Sequence, residues 1–352
     1  MKKNRLRWLI LLLVPIVFTV GACKKDATVG QILEIEETPR PLALPILRLT
    51  MSTGLPSGTY YPFGSAIAQV VDDASSYLVI DVKTSQNSHE NILRIASGEA
   101  QLAIAQNDVI NYAYHGTDAW SDMPSVTTME PLMTLYPEIC QFVVGANSGL
   151  ESVLDLKDRR VAIGEPGTPL NVGVLRILAE YGITADDIEA LPLGFDDAAQ
   201  AMREKSIDAF FVTMGTPNKV MMDLQADRDI TIMNLDSNII DALIKKYPFY
   251  TRYTLNENDY SFLTEPIETV AVRATLVASS SLSDQVVYDI VKTIMENSDK
   301  IAVLHAKGMY IGPEEAVSGL PLEMHSGARR YFEEIKALEE PPQEETEEAG
   351  SP

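Results

Sequence analysis

Two loops rich in glycine and hydroxyl side chains, Ser57-Gly58-Thr59-Tyr60 and Gly167-Thr168-Pro169, carry the most legible chemistry of this chain. Each lies between a strand-like run and a helical one, so its backbone N–H groups fall at a helix N-terminus. There the orphan donors and the helix dipole favour an anion such as a carboxylate, with no need for a buried arginine. Gly58 and Gly167 would let the backbone approach a ligand closely, and the hydroxyls of Thr59 and Thr168 can donate or accept. The same residue types also build ordinary turns and helix caps. Their duplication along one chain favours a ligand.

Aromatic and amide groups extend this set. Tyr60, Tyr61 and Tyr136 can each wall a cleft with the ring while the hydroxyl meets a polar group, although tyrosines are also common packing residues. Gln106 follows the apolar run Leu102-Ala103-Ile104-Ala105, which predicts that it emerges at a strand C-terminus with a donor and an acceptor to offer. Ser88, Asn91 and Thr213 are weaker candidates, since serine and asparagine also cap helices. Asp108 and Glu138 would repel an anion; they either cap a helix or bind an ammonium group. Pro169 fits the first helical position, where its missing N–H costs nothing, and Leu170 makes that side of the site more apolar.

Catalytic constellations are not legible. His89, His115, His305 and His325 are scattered, and there is no H-E-x-x-H, C-x-x-C, G-x-S-x-G or Walker lysine loop, so a binding protein without metal or cofactor is expected. The net charge of −22 argues against nucleic acid as a partner.

The elements that must position these residues alternate. The run Ile46-Leu47-Arg48-Leu49-Thr50-Met51 reads as a strand, followed by the first loop and a helix from about Tyr61 to Asp73. Arg160-Val161-Ala162-Ile163, the second loop and a helix from Leu170 to Tyr181 repeat the plan. Gly98 to Gln106 and Ser206 to Thr213 form another such pair. This grammar predicts an α/β architecture with mainly parallel sheet, whose ligands gather at strand C-termini. A chain of 352 residues that is 46% hydrophobic can bury a large core and favours two lobes with a cleft between them. Extended segments at 135–144 and 269–277 are read as interlobe crossings.

The N-terminus carries an address. Lys2, Lys3, Arg5 and Arg7 precede an apolar run from Trp8 to Val20 that is short for a membrane anchor, so residues 1–22 read as a signal peptide. Val20-Gly21-Ala22-Cys23 resembles the lipobox of bacterial lipoproteins, which implies cleavage before Cys23 and lipid on that cysteine. Residues 23–45, with Pro39, Pro41 and Pro45, read as a spacer holding the body off a membrane. Only Cys140 would remain free, so no internal disulfide is available. Residues 337–352 read as an acidic, disordered tail.

At the residues named here the chain resembles the TAXI family, the solute-binding proteins of tripartite ATP-independent periplasmic (TRAP) transporters. The matching stretches are Ser57-Gly58-Thr59-Tyr60-Tyr61-Pro62, Asn91 with Gly98-Glu99-Ala100, Gln106-x-Asp108 and Leu135-Tyr136-Pro137-Glu138. Ser148-Gly149-Leu150 with Asp155-Leu156, Asp208-Ala209-Phe210-Phe211, Tyr247-Pro248-Phe249-Tyr250 and His325-x-Gly327-Ala328-x-x-Tyr331 follow in order. The resemblance covers nearly the whole body. It implies a two-lobed, periplasmic-binding-protein-like fold (type II), with 46–137 plus 266–336 as one lobe and 138–265 as the other. It further implies a receptor, in the periplasm or on the cell surface, that takes a glutamate- or glutamine-like amino acid or a 2-oxoacid and delivers it to a TRAP permease. A lipoprotein that senses a solute and signals to a membrane partner is the alternative use of the same fold. The chain departs from the family pattern at Leu55-Pro56-Ser57 and at Gly167-Thr168-Pro169-Leu170, where relatives carry glycine-richer loops.

Overall fold

The computed structural model describes residues 45–56 and 58–336. The expected signal peptide, the lipidation site Cys23, all of the spacer except Pro45 and the acidic tail lie outside the described residues.

Among the described residues ten strands form one sheet: β1 (Leu47–Ser52), β2 (Leu78–Lys83), β3 (Leu102–Gln106), β4 (Met129–Gly145), β5 (Arg160–Ala162), β6 (Glu189–Leu191), β7 (Ala209–Met214), β8 (Ile230–Ile232), β9 (Thr251–Leu255) and β10 (Ile267–Ser279). The order along the sheet is β2-β1-β3-β10-β4-β7-β5-β6, with β8 on β4 and β9 on β10. The helices between them are α1 (Tyr60–Ala74), α2 (Ser88–Ser97), α3 (Asn107–His115), α4 (Pro169–Glu180), α5 (Phe195–Arg203), α6 (Lys219–Asp227) and α7 (Ser237–Lys246). After β10 come α8 (Asp284–Glu296), α9 (Ser298–Leu304), α10 (Pro313–Val317) and α11 (Ser326–Glu334), with a 3₁₀ turn at Ala306–Tyr310.

Two long antiparallel strands make the spine. β4 pairs with β10 from Met129↔Ser279 to Ile139↔Ala271, and from Ile139 onward it also pairs with β7. The first half of β4 therefore belongs with β1, β2 and β3, and its second half with β5, β6 and β7. Parallel pairings β1–β2, β1–β3, β5–β6 and β5–β7 flank the spine, each joined through a helix, which is the connection parallel strands require. The continuous burial of β4 from Pro131 to Gly145, apolar except at Thr134, Glu138 and Gln141, follows from helices covering both faces.

Helix ends are set by local chemistry. Asn87 accepts the Glu90 N–H at the start of α2, and Gly98 ends that helix with φ +78°. Thr168 accepts the Asn171 N–H at the start of α4, with Pro169 in the first turn as its missing donor predicts. His325 accepts the Gly327 N–H through Nδ1 and lies 3.2 Å through Nε2 from the Leu282 carbonyl, so this lone histidine is a helix cap.

The apolar core has three parts. One packs α1, α8 and α11 against β1–β3, and a second packs α5 and α6 against β7 and β8. The third runs through both halves of the sheet, joining Ile92, Tyr112 and Trp120 to Val174, Ile177 and Phe249. Each such large side chain fully removed from water contributes about 1.5–3 kcal/mol.

Candidate functional site

A cleft of about 660 Å³ opens where strands end and helices begin. The loop after β1 contributes Gly54, Leu55, Gly58 and Thr59, and α1 contributes Tyr60. Asn87 and Ser88 come from the start of α2 and Gln106 from the last position of β3. From the other half of the sheet come Glu165, Thr168 and Leu170 around the start of α4, Phe195 and Asp197 at the start of α5, and Gly215 and Asn218 between β7 and α6. Glu138 lies on the floor, one residue before β4 begins to pair with β7. This is the position an open α/β sheet reserves for ligands.

Of the residues singled out from sequence, Gly58, Thr59, Tyr60, Ser88, Gln106 and Thr168 line this cleft. Their roles differ from the expected anion cradle. The Gly58 N–H donates to the Leu55 carbonyl at 2.9 Å, closing a turn, and the Thr168 N–H donates to the Glu165 carbonyl at 3.1 Å. The Thr168 hydroxyl donates to the same carbonyl at 2.7 Å. These donors are therefore held within their own loops. Ser88 accepts the Gln106 N–H at 3.1 Å, so it fixes the end of β3 as well as facing the cleft.

Three of the expected ligand residues lie elsewhere. Gly167 is outside the cleft lining; its φ of +79° is a turn conformation that suits glycine, and its N–H meets Asn171 Oδ1 at 3.4 Å. Tyr136 is fully buried behind Tyr60 and Phe63, at ring-centroid distances of 6.5 and 5.4 Å, because the first turn of α1 covers it. Thr213 faces a recess of about 70 Å³ behind the cleft, shared with Asp108, Cys140 and Tyr250. Gln106, Pro169 and Leu170 form the partition between cleft and recess. Asn91 ties the fold: its amide donates to the Thr53 and Ile104 carbonyls at 2.5 and 2.7 Å and its oxygen accepts from Ser52.

The electrostatics of the floor centre on Glu138. It is 7% exposed, and its Oε2 accepts the Tyr60 hydroxyl at 2.9 Å. Burial raises its carboxyl to about 7, while Tyr60 and the nearby Gln106 side chain pull it down. Burial, with the Glu138 charge adding to it, holds the Tyr60 phenol well above its ordinary range. Asp108, the other acidic position left open from sequence, accepts the Val109 N–H and the Tyr112 hydroxyl at 2.8 and 3.1 Å in the first turn of α3. Burial raises it to about 6, against the lowering effect of Arg176.

Lys307, which sequence reasoning passed over, is the buried cation behind this floor. Its Nζ donates to the Thr216 carbonyl at 2.6 Å and lies 5.3 Å from the centre of the Tyr136 ring. Burial lowers its ammonium to about 8, and the charges of Glu138 and Asp259 raise it. Gly215 separates it from the cleft: a Cβ there would sit 3.0 Å from Lys307 Cε. Asn87 and Asn218 were also missed, though both follow the readable pattern of an asparagine capping the helix after a strand. Phe195 and Asp197 carry no local signal, since only the return of β6 to the sheet brings them to the cleft.

A family model described as the NMT1-like family matches residues 51–335, well over half of the chain. The chain belongs to the NMT1-like family. Among solved structures, this family member is similar to the periplasmic sulfonate-binding protein SsuA from Methylobacillus flagellatus KT, at 14% identity over 81% of this chain and 77% of that one, with a TM-score of 0.50. It is also similar to the periplasmic aliphatic sulphonate binding protein SsuA from Escherichia coli, at 14% identity over 83% and 84% of the two chains, with a TM-score of 0.48. The NMT1-like chain thus has the expected α/β, two-lobed periplasmic-binding-protein-like fold.

Proposed function

We propose that this protein is an extracytoplasmic solute receptor that binds a small organic acid or amino acid in the cleft and hands it to a membrane permease. The observation that carries the reading is the cleft itself. Its volume of about 660 Å³ suits a small organic solute, and both halves of the sheet supply polar groups to it. The lobes are 46–137 plus 266–336 and 138–265, with β4 and β10 as the crossings between them. A solute touching Tyr60, Ser88 and Gln106 on one side and Thr168 and Asn218 on the other makes contacts that exist only when the lobes are together, so it shifts the population toward closure. Closure is what a permease reads.

The finer assignment, a TAXI receptor serving a TRAP permease, is supported by the ordered sequence resemblances around Tyr60, Gln106, Glu138 and Phe249. A lipid on Cys23 would tether the receptor and raise its effective concentration at the permease. The likeness in fold to one protein named for sulfonate binding makes alkanesulfonates a further class of probe.

Thermal denaturation of the purified protein against amino acids, 2-oxoacids and alkanesulfonates tests the reading, since a ligand of the folded state raises apparent stability by mass action. Stabilisation that disappears on placing a bulky side chain at Thr168 supports the cleft. Absence of any shift across all three classes contradicts the receptor assignment.

A further inference from the structure

We infer that the solute carries an ammonium group and that Glu138 is its counter-ion. The inference rests on the receptor reading and narrows its ligand class.

Glu138 lines the cleft, yet only 7% of its surface is exposed. A carboxylate that far from water requires a cation or a full set of donors. It has one direct donor and no ion pair: the Tyr60 hydroxyl serves Oε2 and the Gln106 side chain stands near enough to favour the charged form, while among the described residues no salt bridge reaches it and Oε1 accepts no hydrogen bond. Lys307 stands behind it, where the two charges favour each other, but its Nζ donates to the Thr216 carbonyl across the Gly215 wall and forms no hydrogen bond to Glu138.

The remaining lining sharpens the chemistry. No lysine or arginine faces the cleft among the described residues, whereas Glu165 and Asp197 join Glu138 there. A dianion or a simple oxoacid would meet three carboxylates and no cation. An ammonium group reverses that balance: it donates to Glu138 Oε1 and takes the place that a fixed cation would otherwise fill. A carboxylate on the same solute finds neutral donors at Gln86, Gln106 and Asn218. An inorganic cation fits less well, since no group of three or more His, Cys, Asp or Glu side chains that could hold a metal occurs among the described residues.

A protonated Glu138 donating to a solute carboxylate is the opposite arrangement, and pH separates the two. The groups facing Glu138 are Tyr60 from α1, Gln106 from β3, Asp108 from α3, Tyr136 from β4 itself and Lys307 from the 3₁₀ turn, with Glu165 and Asp197 across the cleft. Tyr60 and Tyr136 keep their protons across this range, whereas Asp108 at about 6 and Lys307 at about 8 titrate on either side of Glu138, so the pH step that Glu138→Gln removes is the one that belongs to Glu138.

The experiment is thermal denaturation and calorimetric titration of the full protein at pH 6 and pH 8. The probes are pools of L-amino acids, the matching 2-oxoacids, the matching primary amines, and alkanesulfonates. Stabilisation by amino acids or amines but not by oxoacids or sulfonates is expected, with affinity rising from pH 6 to pH 8. Glu138→Gln, checked for folding by circular dichroism, is expected to lose at least about tenfold in affinity. Tyr60→Phe, which keeps the charge, is expected to weaken binding by about tenfold or less. Equal or stronger stabilisation by oxoacids or sulfonates, affinity falling from pH 6 to pH 8, or full affinity in Glu138→Gln overturns the inference and leaves the receptor reading standing. A complete absence of stabilisation by every pool overturns both.

Discussion

The Tyr60 hydroxyl donates to Glu138 Oε2 at 2.9 Å, linking the first turn of α1 to the point where β4 passes from one half of the sheet to the other. The bond couples a helix that lines the cleft to the strand about which the lobes would turn. It also leaves a buried carboxyl whose charge state changes near neutrality.

Stability without ligand should fall as pH rises through neutrality. Glu138 and Asp108 titrate at about 7 and about 6 in the folded chain, above an unfolded carboxylate, so the folded state binds more protons between pH 4.5 and 7. Their stabilising effect is complete below about pH 4.5 and is lost as each deprotonates. For Glu138 the loss is on the order of 3 kcal/mol. Urea denaturation of Glu138→Gln should show a flatter pH profile than the parent between pH 5 and 8; an identical profile contradicts the assignment.

Gly215→Val should displace Lys307. The added Cβ would lie 3.0 Å from Lys307 Cε and 3.2 Å from Nζ, so the lysine must give by a few tenths of an ångström for the Cβ and further for the two methyl groups of valine. Overpacking of this kind costs about 1–3 kcal/mol, read as a lower urea midpoint with unchanged m-value. Unchanged stability would mean that the lysine side chain is free to leave.

Arg176→Met should be among the most damaging single changes. The Arg176 side chain is 4% exposed, donates to Asp118 Oδ1 at 2.7 Å and to the Tyr112 hydroxyl, and lies 4.3 Å from the centre of the Tyr247 ring. It ties α4 to α3 across the core that both halves share. The Asp118 side chain is 38% exposed and can turn to water, so the cost is chiefly that of the lost charged hydrogen bond to the buried Tyr112 hydroxyl, about 1.5–3 kcal/mol, measurable by denaturant titration.

Gly167→Ala should destabilise without changing solute affinity. Its φ of +79° costs an alanine about 1–2 kcal/mol, and the residue lies outside the cleft lining. A loss of affinity greater than the loss of stability would restore Gly167 to the site.

Much of this arrangement was legible before the structure. Strand, loop and helix alternation around Gly58 and Thr168 foretold both helix N-termini, and the apolar run ending at Gln106 foretold its place at the strand end. Local sequence could not say where a loop spends its donors. Gly58 and Thr168 satisfy their N–H groups on carbonyls three residues back, a geometry that the same residues would not reveal in a list. Tyr136 misled because its neighbour Tyr60 took the cleft and covered it. Lys307 was invisible because its contact with Thr216 joins segments far apart in sequence, and Glu138 was read as either a cap or an ammonium site because both uses need the same carboxylate.

Hydrogen–deuterium exchange of the intact protein, with and without the amino-acid pool, tests the central claim most directly. Binding in the cleft with closure predicts slower exchange in three separated segments at once: residues 53–60, 164–171 and 214–220. Protection of one half alone, or of the groove between α1 and α9 around Val70 and Leu304, would contradict a solute held between two lobes.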